Sequence, residues 1–214
     1  MAAPICLQGG AEFGPGCETM DAAMLYPSAA AGTGGDATVP RRVLVAPFAG
    51  RPGRERQVAG ANAERWYRGL GATDVEVVVA EADFGPALAR AELLVLPGGS
   101  PSRLLEALAP HEAAIRAANQ RGTAISGASA GAMVLCRWTV LPDAGMRVAP
   151  GLGLVPVDLV LVHYRGSRSW LDAALAQLPA DPVVLGLPER SGALVRPDGA
   201  WTSAGVGPVT RLIA

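Results

Sequence analysis

The chain has 214 residues, of which 50% are hydrophobic and 17% charged, a composition typical of a globular protein and not of a disordered one. Its formal net charge of −1 gives no electrostatic reason to expect nucleic acid or an anionic membrane as a partner. The chain has no lysine, three cysteines (Cys6, Cys17, Cys136) and two histidines (His111, His163). This composition excludes lysine-dependent chemistry and argues against a disulfide framework or a zinc or multi-histidine metal site.

Short apolar runs alternate with amphipathic or Ala-rich segments, which predicts strands alternating with helices. In chain order these are strand 4–7, helix 19–31, strand 43–46, helix 55–69, strand 75–79, helix 86–91, strand 93–96, helix 102–119, strand 123–126, a helix ending near residue 136, strand 159–162, helix 170–178 and strand 183–187. Segments 193–196 and 201–203 predict a C-terminal hairpin around a Pro-Asp-Gly turn, and 209–213 predicts an edge strand. Periodicity is weakest in the Gly/Ala-rich segment 11–40.

Buried strands separated by helices indicate a three-layer α/β fold, with a mostly parallel sheet covered on both faces. We expect residues 1–214 to form a single domain. In such sheets the ligand site lies beyond the carboxyl ends of the strands. No targeting segment is visible and no apolar stretch approaches the roughly 20 residues of a membrane span, so we expect a cytoplasmic protein without a membrane partner.

The most specific motif is Gly-Ala-Ser-Ala-Gly at 127–131, which lies directly between a predicted strand and a predicted helix. A nucleophile on a strained strand-to-helix turn needs small neighbours, because larger side chains would prevent the backbone from closing. The helix that follows also favours developing negative charge at its N-terminus. We therefore predict that Ser129 is a catalytic nucleophile.

A general base for this serine is expected at another carboxyl strand end. His163 follows strand 159–162, whereas His111 lies within a helical stretch far from any strand end. The orienting acid is predicted to be Glu189, which follows strand 183–187, with Asp143 as the alternative. Asp158 precedes His163 on the same strand and points to the opposite face, so it cannot reach the imidazole.

The turn after strand 93–96 supplies the candidate oxyanion hole. The glycine pair there lets a backbone N–H approach a tetrahedral intermediate, and we assign this role to Gly99, with the N–H of Ala130 as the second donor. Arg165 and Arg168 follow the histidine closely, and guanidinium groups bind carboxylates well, so both are candidates for binding a substrate carboxylate.

Three segments together resemble the dipeptidase E and cyanophycinase family of serine peptidases. They are Leu-Pro-Gly-Gly at 96–99, Gly-Ala-Ser-Ala-Gly-Ala at 127–132 and His-Tyr-Arg-Gly-Ser-Arg at 163–168. The resemblance implies a flavodoxin-like (class I glutamine amidotransferase-like) fold and a short peptide as substrate, and no cofactor is expected. The sequence does not indicate an oligomeric state.

The resemblance also bears on individual residues. It implies that Ser129 is the nucleophile and His163 the base. Glu189 lies where the cyanophycinase branch has its glutamate, whereas the dipeptidase E branch takes an aspartate nearer the serine, which favours Asp143. Ser100 stands where the family often has Asn or Gln, and this departure makes Ser100 a further candidate for substrate binding.

Three other functions compete with a peptidase. A glutamine amidotransferase of the same fold would need a cysteine where this chain has Ser129. An α/β-hydrolase esterase would place its histidine nearer the C-terminus than His163 and would have a His-Gly-Gly motif, which is absent. An amidase or a catalytically silent module of the same fold stays open, because fold alone does not establish activity.

Overall fold

The computed structural model describes residues 2–26, 39–167 and 171–212. Its helices are α1 (Glu18–Leu25), α2 (Arg54–Gly69), α3 (Phe84–Leu88), α4 (Pro101–Leu108), α5 (Glu112–Arg121), α6 (Ala130–Leu135) and α7 (Leu171–Leu175). Its strands are β1 (Ile5–Gln8), β2 (Val43–Val45), β3 (Val75–Val77), β4 (Leu93–Leu96), β5 (Ala124–Ala128), β6 (Trp138–Leu141), β7 (Arg147–Pro150), β8 (Leu159–Leu161), β9 (Val184–Gly186), β10 (Ser191–Val195), β11 (Trp201–Gly205) and β12 (Thr210–Leu212). None of the described helices is long and apolar enough to cross a bilayer.

A seven-stranded sheet lies at the centre, in the order β11-β10-β1-β5-β4-β2-β3. Five neighbouring strands of this sheet run parallel, namely β1, β5, β4, β2 and β3. The hairpin β10–β11 adds two antiparallel strands beside β1. Every position of β1, β2, β4 and β5 is buried. The predicted fold is therefore confirmed as a flavodoxin-like α/β sheet with a C-terminal hairpin.

The alternation of side chains explains why these strands are apolar at consecutive positions. In β4, Leu94 and Leu96 join the core that also contains residues of α3, α4, α5 and α6. Leu93 and Val95 face the other way and join the core that contains residues of α1 and α2. The sheet thus has a helical layer on each face, as the three-layer prediction requires.

Two smaller sheets lie outside the central one. β8 and β9 are parallel and form a three-stranded sheet with β12, in the order β12-β9-β8. Neither β8 nor β9 pairs with β1, whose two neighbours in the central sheet are β5 and β10. β6 and β7 form a two-stranded hairpin that the sequence analysis did not predict.

Several predicted elements have different bounds in the structure. The helix predicted at 102–119 is divided into α4 and α5 by a 3-10 turn at Ala109–His111, where Pro110 has no N–H to donate to a continuous helix. The helix predicted at 19–31 is observed as α1, and its remainder from residue 27 lies outside the described residues. Residue 170, where the helix predicted at 170–178 begins, also lies outside the described residues, and so does residue 213, where the edge strand predicted at 209–213 ends.

Candidate active site

Ser129 lies in the sharp turn between β5 and α6, with φ 49° and ψ −111°. Its N–H donates to the carbonyl oxygen of Gln8 at 2.9 Å, which ties the turn to the end of β1. Only glycine fits two positions before it, at residue 127, and two positions after it, at residue 131. A Cβ on Gly127 would lie 2.5 Å from the backbone of Gly131, and a Cβ on Gly131 would lie 2.1 Å from the carbonyl oxygen of Leu96. The composition of the motif therefore follows from the closeness of these backbones.

A line of polar contacts starts at this serine. Its Oγ lies 3.1 Å from Nε2 of His163, and Nδ1 of His163 lies 3.1 Å from Oε1 of Glu189. His163 follows β8 and Glu189 follows β9, and since these strands are parallel their carboxyl ends meet at one edge. With the proton on Nδ1, the imidazole donates to Glu189 and leaves Nε2 free to accept from the serine.

Glu189 is held in its ionised form. The hydrogen bond with His163 is the main cause that lowers the pKa of Glu189, and the nearby charge of Arg165 lowers it further. The side chains of His163 and Glu189 are 46% and 40% exposed, so both groups are in contact with solvent. This arrangement can accept a proton at His163 while the carboxylate compensates the resulting charge.

The two glycines that follow β1 contact the histidine. The N–H of His163 donates to the carbonyl oxygen of Gly9 at 2.8 Å. Gly10 has φ +111°, and a Cβ there would lie 2.3 Å from Cε1 of His163. The sequence analysis did not assign a role to this Gly-Gly pair, although its position at the carboxyl end of a buried strand was a signal for one.

Asp143, the alternative acid, lies elsewhere. Its carboxylate accepts hydrogen bonds from the hydroxyl groups of Ser100 (3.0 Å) and Ser102, and these bonds lower the pKa of Asp143. Ser100 is the N-cap of α4 and also accepts from the N–H of Arg103 at 3.3 Å. The structure therefore ties Asp143 to the start of α4 and does not bring it to His163.

The glycine turn after β4 lies beside the nucleophile. A Cβ on Gly98 would lie 3.1 Å from Cβ of Ser129. Gly99 has φ +143°, and a Cβ there would lie 2.7 Å from the carbonyl oxygen of Ala49, so only glycine fits. Ala130 is the first residue of α6, where backbone N–H groups have no partner within the helix. Both candidate oxyanion donors thus belong to segments that adjoin Ser129.

The profile of peptidase family S51 matches residues 36–199, which is most of the chain. The chain belongs to peptidase family S51. It is accordingly a serine-type peptidase, as the resemblance to dipeptidase E implied.

Solved structures agree with the fold of this S51 peptidase. A peptidase from an acI-B1 Actinobacterium has a TM-score of 0.80 at 22% identity, with 99% of this chain and 91% of that chain covered. A putative peptidase E protein from Listeria monocytogenes EGD-e has a TM-score of 0.69 at 12% identity, with 97% and 100% covered. No curated protein matches the sequence.

Of the two arginines predicted to bind substrate in this S51 peptidase, the structure describes one. The guanidinium of Arg165 lies 3.4 Å from Oε1 of Glu189, and its side chain is 81% exposed. Arg168 lies outside the described residues. Arg165 is therefore close to the polar contacts at Ser129 and has room to move.

A buried carboxyl group lies close to the nucleophile turn of this S51 peptidase, and the sequence analysis did not find it. Asp21 on α1 is fully buried and accepts from Nε2 of Gln8 (2.6 Å), Nε1 of Trp66 (2.8 Å) and the hydroxyl of Tyr67 (3.3 Å). The same Gln8 amide also donates to Oγ of Ser126 at 2.9 Å. Burial raises the pKa of Asp21 to about 6.

Within 2–26, 39–167 and 171–212, no three His, Cys, Asp or Glu side chains come together as a metal site would require.

Proposed function

We propose that the protein hydrolyses short peptides next to a free carboxylate, as a dipeptidase or carboxypeptidase does. In this proposal Ser129 is the nucleophile, His163 the general base and Glu189 the orienting acid. The observation that carries it is the continuous line of contacts from the serine Oγ through both imidazole nitrogens to the glutamate, with each step 3.1 Å long. Glu189 is preferred to Asp143 because the latter is bound by two serine hydroxyls instead.

The reaction follows the usual two steps of a serine hydrolase. Ser129 Oγ attacks the scissile carbonyl carbon while its proton passes to Nε2 of His163, and the N–H groups of Gly99 and Ala130 stabilise the oxyanion. The C–N bond then breaks, the imidazolium gives its proton to the leaving amine, and an acyl-enzyme forms. Water repeats the sequence in the second step, which releases the acid and restores the serine.

Arg165 is proposed to select the substrate. It follows the base by two residues, so its guanidinium reaches only groups near the scissile bond. In the free protein it lies against Glu189, and its exposed side chain can turn toward a substrate carboxylate. Arg168 and Ser100 are proposed as further contacts, although Ser100 already donates to Asp143.

Peptides that differ only at their C-terminus test this proposal. With a peptide that lacks acidic side chains, we expect the free acid to be cleaved with a kcat/KM about 10- to 150-fold higher than that of the amide. Arg165→Ala should abolish this preference, whereas Arg121→Ala, an exposed arginine at the end of α5, should preserve it. Equal cleavage of acid and amide by all three proteins would contradict the role of Arg165. An inactive wild-type protein would contradict the peptidase proposal as a whole.

We also propose that the protein acts in the cytoplasm. Cys6, Cys17 and Cys136 are all buried free thiols, and free thiols are typical of a reducing compartment. Burial is the main cause that raises the pKa of each of these thiols, which keeps them protonated and unreactive. Fractionation of the native cell with detection of the protein would test this location.

A further inference from the structure

Gly99, the candidate oxyanion donor, lies in a turn whose neighbouring N–H groups are held on both sides of it. Before it, the N–H of Gly98 donates to Oε1 of Glu12 at 2.8 Å. After it, the N–H of Ser100 donates to the carbonyl oxygen of Ala49 at 3.0 Å. Between the two, the Gly99 N–H has no hydrogen-bond partner among the described residues. The turn is therefore fixed at both ends and leaves free the N–H that is assigned to the oxyanion.

Glu12 reaches this turn from the loop that follows β1. A Cβ built on Gly98 would lie 2.9 Å from Oε1 of Glu12 and 3.1 Å from Cβ of Ser129, so the carboxylate adjoins the nucleophile across one glycine. None of the ion pairs within 2–26, 39–167 and 171–212 includes Glu12. Its hydrogen bond from Gly98 is charge-assisted, which makes it stronger than a bond between neutral groups. Such a bond restricts the orientation of the peptide group that donates it.

The backbone on both sides of Glu12 has an uncommon conformation. Ala11 has φ 53° and Phe13 has φ 59°, in the left-handed region that residues other than glycine seldom adopt. The carbonyl oxygen of Ala11 accepts from Sγ of Cys17 at 3.6 Å, and the ring of Phe13 packs edge-on against that of Tyr67, with 6.2 Å between the centroids. Strained backbone persists where its surroundings impose it, and it is concentrated at functional sites. Here it holds the Glu12 side chain toward the glycine turn.

We propose that Glu12 is a positioning residue for the oxyanion hole. By binding the N–H of Gly98 it fixes the next peptide group, so that the N–H of Gly99 faces the oxyanion formed at Ser129. This inference rests on the proposed function, because it takes Ser129 as the nucleophile and Gly99 as a donor. Glu12 does not contact the reacting atoms in this role. Its negative charge would oppose a developing oxyanion, so the role requires a hydrogen-bond acceptor of the right length and not a charge.

Substitutions at residue 12 test this role with p-nitrophenyl acetate, a small ester that has no charged group. Stopped-flow measurement gives the limiting rate of acylation of Ser129 and the ester concentration that produces half of this rate. Glu12→Ala should lower the limiting rate on the order of 100-fold, the cost of a displacement of about 1 Å, and leave the half-saturating concentration nearly unchanged.

Two conservative variants separate length from charge. Glu12→Gln should keep the limiting rate close to that of the wild type, because its amide oxygen still accepts from the N–H of Gly98. Glu12→Asp keeps the charge but shortens the side chain by one methylene group, so it should lose rate as Glu12→Ala does. Because aspartate is a small change, Glu12→Asp also tests the role if Glu12→Ala does not fold.

Glu18→Ala is the matched control. Glu18 also accepts from a backbone N–H, that of Gly16 at 2.7 Å, and both glutamates line a cleft of about 630 Å³, so this variant should preserve the rate. Among variants that fold, three results would overturn the role of Glu12: an unchanged rate in Glu12→Ala or Glu12→Asp, a loss in Glu12→Gln as large as theirs, or the same loss in Glu18→Ala. These results leave the proposed function standing. If neither the ester nor a fluorophosphonate modifies wild-type Ser129, the proposed function fails and this inference fails with it.

Discussion

Two groups of polar side chains lie on opposite sides of the nucleophile turn, and they differ in exposure and charge. Above the turn, His163 and Glu189 are almost half exposed, and the pKa of Glu189 is lowered by its imidazole partner. Below it, Asp21 and Gln8 are buried, and the pKa of Asp21 is raised to about 6 by burial. Ser129 connects the two groups, because its backbone N–H is bound by the carbonyl of Gln8.

The difference suggests a division of tasks. The exposed carboxylate is accessible to solvent and substrate and stays ionised, which suits a group that supports a protonated imidazole. Among the described residues the buried carboxyl group has three neutral donors and no ion-pair partner, so its ionisation is costly and it contributes to the position of β1 and α1. We therefore expect substitutions above the turn to change turnover and substitutions below it to change stability.

The largest expected effect lies above the turn. Glu189→Gln should reduce kcat by about 10⁴-fold, the size of loss seen when a triad acid is replaced by its amide in other serine hydrolases. Asp143→Asn should reduce it far less, because Asp143 contacts only serine hydroxyls of α4. Steady-state kinetics of both variants would check this expectation. A greater loss in Asp143→Asn would move the role of the acid to Asp143.

Below the turn the expected effect is on stability and depends on pH. Burial in the folded protein raises the pKa of Asp21 from 3.8 to about 6. Between pH 3.8 and pH 6, the carboxyl group of Asp21 therefore keeps its proton in the folded protein and loses it in the unfolded chain. Stability from this group is therefore fully present below pH 3.8 and is lost as the pH rises through 6, by about 3 kcal/mol in all. Urea unfolding between pH 4 and pH 7 should show this loss in wild type relative to Asp21→Asn. Parallel pH profiles for the two proteins would contradict it.

A smaller effect is expected from the glycine beneath the imidazole. Gly10→Ala would place a Cβ 2.3 Å from Cε1 of His163, so the ring must move. A displacement of about 1 Å costs on the order of 100-fold in turnover. Gly122→Ala is the control, since Gly122 has a similar φ of +117° but open space where its Cβ would lie. If the two variants lose equal activity, backbone strain and not the contact with the histidine is responsible.

The sequence predicted those parts of the molecule that local patterns determine. The strand-to-helix setting of Ser129 could be predicted because a short apolar run leads directly into a small-residue motif. The placement of His163 and Glu189 at strand ends could be predicted for the same reason, since both follow continuous apolar runs. Their distance from each other follows from the parallel pairing of β8 and β9, which the alternating pattern also favours.

The parts that were missed depend on contacts between distant segments. β8, β9 and β12 form a sheet of their own, and β10 pairs with β1, which lies far from it in the sequence, so no local pattern reveals this arrangement. Asp21 lies on a short helix within the least periodic segment, and its partners Gln8 and Trp66 come from other elements. The contact of Glu12 with Gly98 likewise joins residues that are 86 positions apart.

The most direct test of the central claim is to label the protein with a fluorophosphonate and to locate the adduct by mass spectrometry. We expect one covalent adduct, on Ser129, because this hydroxyl lies 3.1 Å from the base that activates it. His163→Ala should nearly abolish the labelling while the protein stays folded. No adduct on the folded wild-type protein, or an adduct on a serine other than Ser129, would contradict the claim that this site is a serine nucleophile activated by His163.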